Sequence, residues 1–510
     1  MKPIMKTTLI PAAVLALLLT GCTAGGDDSA DTSAADTTLS VNWGGFPQTW
    51  APGSQAMEPG VMRIPYETLL KRLPDGTIEP NLATEWTFGD GALSLTLKLR
   101  DDVVFHDGTP FDAEAVKTNI EYVKDVVGGQ FGGPLKAGVK AVTVVDDTTV
   151  QIDFTRPYGT FTTLLSQRNL PMASPAAIAD GSIETTPVGT SPWAYDESAS
   201  IEGTMMAFNK FDDYWGDLPA MENIDLYAIP DDTAAVAAVL SGEIDVTDTE
   251  SEQTSRIESS GVADWYQYPA IRNNVTFFDR ATGGVFGDEK VRQAFCYALD
   301  ATVYTALDPT THAADQHFIE GEQGYNADIV GYPVDLDKAE SLLAEAGSPT
   351  IETVFPAAPF NKQQVEVYAE AFNQLPGVNI TVQELAPADY IATWASGQYA
   401  LGIGQHGQIT PQDWYGAWWS ETAGNNPSKT ASDELKGLAG KAFGAAGTDG
   451  AEAAWEDVMA EVTDEALTCG HVQVDQVITY NTNQVANVQQ SDSVWEPNLI
   501  DYWAVTPAGQ

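Results

Sequence analysis

Three cysteines carry the reactive sulfur of this 510-residue chain: Cys22, Cys296 and Cys469. None belongs to a Cys-x-x-Cys pair, and the chain has no Gly-x-Ser-x-Gly elbow and no His-Glu-x-x-His. Nucleophilic and zinc-hydrolase chemistry therefore lack their usual spacings. Paired carboxylates could serve a secreted glycoside or peptide hydrolase, the competing class, but 72 Asp and Glu residues bring carboxylates together in any fold. The segment GIGQHGQITPQDWYGAWWS (402–420) offers a different chemistry, that of holding a ligand. Trp414, Tyr415, Trp418 and Trp419 supply flat apolar rings, and Gln405, His406 and Asp413 supply polar groups among them. Set between Gly, Gln and Pro without a clear helical or strand period, they predict a loop that presents rings. Core packing is the alternative for any single ring. His406 has no second His or Cys at ligand spacing, so it reads as a hydrogen-bonding group, and no metal or cofactor is expected.

The N-terminus predicts where such a chain works. Lys2 and Lys6 precede an apolar stretch, Leu9 to Leu19, too short to span a bilayer, and small residues lead into Leu19-Thr20-Gly21-Cys22. This is the layout of a secretory signal over residues 1–21. Its last four residues resemble the lipobox of bacterial lipoproteins, in which the cysteine becomes the new N-terminus and its sulfur carries diacylglycerol. Cys22 is thus the expected lipid anchor, and the protein is expected outside the cytoplasm at the cell membrane. Residues 22–38 hold no large apolar side chain and read as a flexible tether with a reach of roughly 20–25 Å. No later apolar run approaches the length of a transmembrane helix.

The net charge of −48 disfavours nucleic acid, whose phosphates want clustered Lys and Arg, and only 24 such residues exist. An acidic surface suits a salty medium, where counterions screen self-repulsion; it fits a halophilic source as well as an ordinary secreted protein. In an oxidising compartment Cys296 and Cys469 could pair, or each could be a small buried hydrophobe. The length suffices for two or three globular units, and 43% hydrophobic residues predict a packed core.

The elements alternate as in an α/β protein. LSVNW (39–43), LSLTLKL (93–99), TTVQIDF (148–154) and NITVQEL (379–385) read as strands. Helices are predicted from Asp112 to Val126, over 232–241 up to Gly242, and over 289–300, 337–347 and 362–375.

In order along the chain stand YETLLKRLPDGTIEPNLATEW (66–86), LTLKLRDDVVFHDGTPFDAEAVK (95–117), PVGTSPWAY (187–195), DDYWGDLPAMENI (212–224), LSGEIDV (240–246), VRQAFCYALD (291–300) and DLDKAESLLAEAG (335–347). With these motifs the chain resembles the family 5 extracytoplasmic solute-binding proteins, the peptide, nickel and oligosaccharide receptors of ABC importers. Ser191 departs from the family pattern, which has glycine there. The motifs themselves read as scaffold: Asp107-Gly108 as a tight turn with His106 beside it, Trp215 and Pro219 as packing.

The resemblance implies a monomeric two-lobed receptor of the α/β periplasmic-binding type, with an extra subdomain and a hinge between the lobes, rather than an enzyme. Lobe one is expected over 39–65, 185–270 and 480–510, an inserted subdomain over 66–184, and lobe two over 271–479, with crossovers near Pro269–Thr276 and Val477–Asn481. Its partners would be a peptide or oligosaccharide ligand, the permease and, through Cys22, the membrane. By analogy, ligand contacts fall in three segments: Trp43, Gly44 and Phe46; Phe355 and Phe360; and Gln405, His406, Asp413, Trp414, Tyr415 and Trp418. Asp413 is placed to pair with a ligand amine. Trp414→Ala or Trp418→Ala is then expected to weaken binding without unfolding the protein. Dipeptide receptors of the family clasp the ligand carboxylate with an Arg where this chain has Ala358, which favours grip on peptide backbone and side chains, or on a sugar stacked on Trp.

Overall fold

Among the described residues, three sheets of four or more strands organise the fold, two of them assembled from segments far apart in sequence. The computed structural model describes residues 37–53, 59–73, 77–127, 129–167, 170–249, 253–268, 273–281, 283–308, 310–320, 322–386, 389–390, 397–407, 410–446, 448, 450–491 and 500–509. The predicted signal, Cys22, nearly all of the tether and the first crossover at 269–272 lie outside the described residues.

The first sheet has the order Ala263–Tyr268, Gln476–Asn481, Val246–Thr249, Thr38–Asn42, Asn223–Tyr227, Met205–Lys210, Trp193–Ile201. Its central strand, Thr38–Asn42, runs parallel to both neighbours. Leu39 and Val41 are fully buried, and the buried Asn42 amide donates to Ile229 O at 3.1 Å and Thr247 Oγ1 at 3.0 Å. Helix Asp232–Ser241 follows, capped by Asp231 and stopped at Gly242, whose φ of +77° suits a residue without Cβ.

An antiparallel sheet of Ala83–Phe88, Ser94–Leu99, Thr149–Phe154 and Val139–Asp146 stands on its own core, which runs from Leu69 to Met172. Leu95, Leu97 and Leu99 point into it while Lys98 faces solvent, the alternation read from the sequence. Tyr66, Ala173, Ala177 and Ile183 pack instead into the core of the first sheet.

The third sheet is ordered Thr311–Ala314, Thr468–Val474, Asn273–Phe278, Leu401–His406. Beside it, strands Ile351–Ala357 and Val378–Glu384 pair in parallel around helix Lys362–Phe372. One face of the sheet packs on helices Glu289–Ala298, Leu336–Glu345 and Lys362–Phe372, the other on Pro411–Trp418, Asp433–Gly444 and Ala451–Asp464. Strand Gln476–Asn481 pairs with Val246–Thr249 and Ala263–Tyr268. The chain therefore leaves the third sheet at Asp475, before the Val477–Asn481 crossover expected from the sequence.

Cys296, on helix Glu289–Ala298, and Cys469, on strand Thr468–Val474, form a disulfide with Cα atoms 5.5 Å apart. It closes a long loop, so replacing both residues with alanine should cost about 2–5 kcal/mol. Thermal unfolding in non-reducing buffer checks this, and a melting temperature equal to that of the parent would contradict it.

The motifs converge in space. Glu67 is buried, and its carboxylate accepts from Thr190 Oγ1 at 2.9 Å, Trp215 Nε1 at 3.0 Å and Tyr214 Oη at 3.2 Å. Burial raises its pKa to about 7. The Arg100 guanidinium lies over the Trp215 ring at 3.9 Å. His106 donates from Nε2 to Ser191 O at 2.9 Å and accepts from Gly189 N at 3.2 Å, with Phe211 edge-on. A Cβ on Gly189 would collide with the Pro65 carbonyl. Ser191, the departure from the family pattern, donates to Ile64 O and accepts from Trp193 N. Residues that look conspicuous in the sequence thus build a joint between the first sheet and the inserted one.

Candidate functional site

A seam forms where the inserted sheet's unit meets helix Pro411–Trp418 of the third. Thr410 caps that helix and accepts from Asp413 N at 3.1 Å, while its hydroxyl donates to Asp413 Oδ2 at 2.7 Å. From the other side, Tyr158 Oη donates to Asp413 Oδ1 at 3.3 Å and Thr160 Oγ1 donates to Gln412 Oε1 at 3.1 Å. Arg156 lies over the Phe443 ring at 4.7 Å. Burial raises the pKa of Asp413, opposed by its hydrogen bonds from Thr410 and Tyr158 and by the charge of Arg156. Glu322 repeats the pattern: burial raises it, and the nearby positive charge of Arg72 opposes the rise.

These contacts correct the expectation of a ring-bearing loop. Residues 401–406 are a strand and 411–418 a helix. Trp414, Tyr415, Trp418 and Trp419 all lie in the hydrophobic core under the third sheet. The Pro after the Thr cap and the helix's short length hide the period in the sequence, because Pro411 occupies the first turn, where its missing N–H costs nothing. His406 is buried as well. Its Nδ1 accepts from Trp414 Nε1 at 3.1 Å and its ring lies 3.8 Å from that of Trp418. Burial, reinforced by His317 and His471, holds its pKa well below the ordinary range.

The other candidates divide. Trp43 turns inward and donates from Nε1 to Tyr502 Oη at 2.7 Å. Beside it Gly44, at φ +77°, and Gly45 have open space where a Cβ would project, and Phe46 is half-buried against the first core. Phe355 is fully buried and stacks on Phe372. Phe360, just past the C-terminal end of strand Ile351–Ala357, is 63% exposed and edge-on to Tyr390. Gln405 is exposed and donates to Asn274 Oδ1 at 3.4 Å, and Asn274 donates to Gln364 Oε1 at 3.3 Å. Asp413 sits at the seam, with both oxygens engaged. Gly44, Phe46, Phe360 and Gln405 thus keep solvent-facing surface, whereas Trp43, Phe355, His406, Trp414 and Trp418 are packed inside, because a large ring gains most by leaving water.

Tyr158, Thr160, Arg156, Arg72 and Glu322 did not stand out in the sequence. The run RPYGTF (156–161), a cluster of turn and aromatic residues directly after a strand, was the available signal. Among the described residues, no group of three or more His, Cys, Asp or Glu side chains is arranged to hold a metal, and no helix is long and apolar enough to cross a membrane.

Residues 77–428 match the model of the family described as bacterial extracellular solute-binding proteins, family 5. The chain belongs to this family. A relative within reach of sequence comparison is the glutathione-binding protein GsiB of Escherichia coli (strain K12), 28% identical over 273 residues, which are 52% of this chain and 53% of the relative. The chain thus spans about half the length of the curated relatives it matches. In three dimensions it resembles NikA from Brucella suis, solved with Fe(III)-EDTA, with a TM-score of 0.80 at 22% identity over 92% of this chain and 99% of that one. The dipeptide-binding protein from Pseudoalteromonas sp. SM9913, solved with Met-Leu, gives a TM-score of 0.77 at 19% identity over 92% of this chain and 100% of that one. These likenesses give this family member the two-lobed α/β binding-protein fold.

Proposed function

We propose that this family 5 protein is the lipid-anchored receptor of an ABC importer, captures extracellular peptides between its lobes, and hands them to the permease. The observation that carries the reading is the family match over residues 77–428, which spans the inserted sheet and three of the third sheet's four strands. The polar seam at Tyr158–Asp413 and Thr160–Gln412 supports closure by lobe movement, since such contacts exchange with water at small cost when the cleft opens. Lobe one would take in 39–65, 185–270 and the chain after Asp475, the inserted subdomain 66–184, and lobe two 271–474. The signal layout ending at Cys22 supports an extracytoplasmic place and a lipid tether, and confinement to the membrane raises the effective concentration at the permease.

Peptide is favoured over sugar by where the rings go. Of 13 tryptophans, Trp43, Trp50, Trp193, Trp414, Trp418, Trp419 and Trp455 are buried, so abundant Trp no longer argues for sugar stacking. Ala358 is buried and brings no cation to the second segment, which suits a grip on peptide backbone rather than on the terminal carboxylate. Native mass spectrometry of protein purified from its host is expected to show a bound peptide that is released intact, with a melting temperature raised by re-adding it. A co-purified oligosaccharide would replace the ligand class. Consumption of added peptide, abolished by replacing one carboxylate, would replace the receptor by a hydrolase.

A further inference from the structure

One chain crossing between the first and third sheets is a single residue long. Strand Thr468–Val474 belongs to the third sheet and strand Gln476–Asn481 to the first, with only Asp475 between them. The Asp475 side chain is 9% exposed, and one oxygen, Oδ2, accepts from Gln267 Nε2 at 2.6 Å and from His312 Nε2 at 2.7 Å. Gln267 stands on strand Ala263–Tyr268 of the first sheet, and His312 on strand Thr311–Ala314 of the third. The Asp475 N–H donates to Thr310 O at 2.7 Å, and the next residue, Gln476, accepts from Tyr268 Oη at 2.8 Å. We propose that Asp475 is a hinge pin, a carboxylate gripped by one side chain from each lobe that sets how readily the cleft opens.

Geometry couples both grips to any rotation of one sheet against the other. Asp475 lies on the pivot, so its backbone moves little, but Gln267 and His312 ride on different sheets. Turning one sheet against the other stretches at least one of these short bonds beyond hydrogen-bonding distance. A nearly buried carboxylate also tolerates the loss of a donor poorly, which penalises intermediate angles. The pin therefore favours the arrangement in which the seam at Asp413 is also made. Asp475 is a positioning residue and makes no contact with ligand in this scheme.

The inference rests on the two-lobed receptor reading, so its test uses ligand-free protein, and the identity of the ligand does not enter. Asp475→Ala is expected to raise the open population about tenfold. Small-angle scattering should then show a larger radius of gyration, and hydrogen exchange should quicken at Thr410–Trp418 and Tyr158–Leu164. Exchange within strands Val246–Thr249 and Asn273–Phe278 should stay as in the parent, which a general loss of stability would not allow. Gln267→Leu and His312→Phe each remove one grip and serve if Asp475→Ala fails to fold. Folded variants whose scattering and seam exchange equal those of the parent would overturn the pin.

Discussion

Trp414→Ala is expected to destabilise the protein by about 3–5 kcal/mol, the usual cost of emptying a large buried aromatic site. Trp414 is 1% exposed. Its ring lies parallel to His317 at 5.4 Å and edge-on to Phe318 at 5.5 Å and Trp419 at 5.4 Å. Its indole N–H satisfies His406 Nδ1, which the variant would leave buried and unpaired. Helix Pro411–Trp418 also carries Gln412 and Asp413, so loosening its packing should loosen the seam. Urea unfolding is the measurement, with Trp414→Phe expected to recover part of the loss. A parent-like midpoint in Trp414→Ala together with lost peptide binding would instead restore the ring to the role of ligand platform that the sequence suggested.

Acidification is expected to destabilise the fold between about pH 6.5 and pH 4. Burial lowers the pKa of His471 to about 4 and that of His106 to about 4, and holds His406 well below the ordinary 6.5. In the unfolded chain these imidazoles take up protons near pH 6.5, while the folded state resists until about pH 4. Their stabilisation is therefore complete above about 6.5 and is lost as the pH falls, roughly 3 kcal/mol for a group shifted as far as His471. Glu67 works in the opposite sense. Its folded pKa of about 7 lies above the ordinary 4.5, so the folded state keeps a proton that the unfolded chain releases, and this stability is present below about 4.5 and lost as the pH rises to about 7. Glu461, raised to about 7, and Asp413 and Glu322, raised by burial, act in the same sense as Glu67, so the expected fall toward acid is what the three histidines lose beyond the part these carboxyl groups offset. Denaturant midpoints measured from pH 7.5 to 4.5 check the sum. Glu67→Gln should fall more steeply on acidification than the parent, by up to about 3 kcal/mol; parallel curves would mean that Glu67 is ionised in the fold.

Much of the local structure was legible because it follows from short-range chemistry. LSLTLKL alternates and becomes a strand; Asp112 accepts from Ala115 N at 2.9 Å and starts the helix expected there; Gly242 and Gly347 end helices at positive φ. The motifs from Tyr66 to Gly347 identified the family because a fold's joints constrain residue types wherever they fall in sequence. The region 402–420 hides its strand and helix for the converse reason. Its periodicity is interrupted where the strand ends at His406 and the helix begins at Pro411, so nothing local says that four rings share one core. The pairing across the seam has no local signal, since Tyr158 and Asp413 are 255 positions apart and only their meeting in space joins them.

The amino-acid sequence by itself determined the class of protein: an acidic α/β chain with the ordered motifs of a family 5 binding protein. Patterning, caps and turn residues act over a few positions, and they survive being read without a structure. Only the tertiary structure decided which aromatics are spent on the core, that Cys296 meets Cys469, and that Asp475 is the residue on which the chain passes between sheets. Those outcomes depend on which distant surfaces meet, and burial is a property of the meeting rather than of either partner.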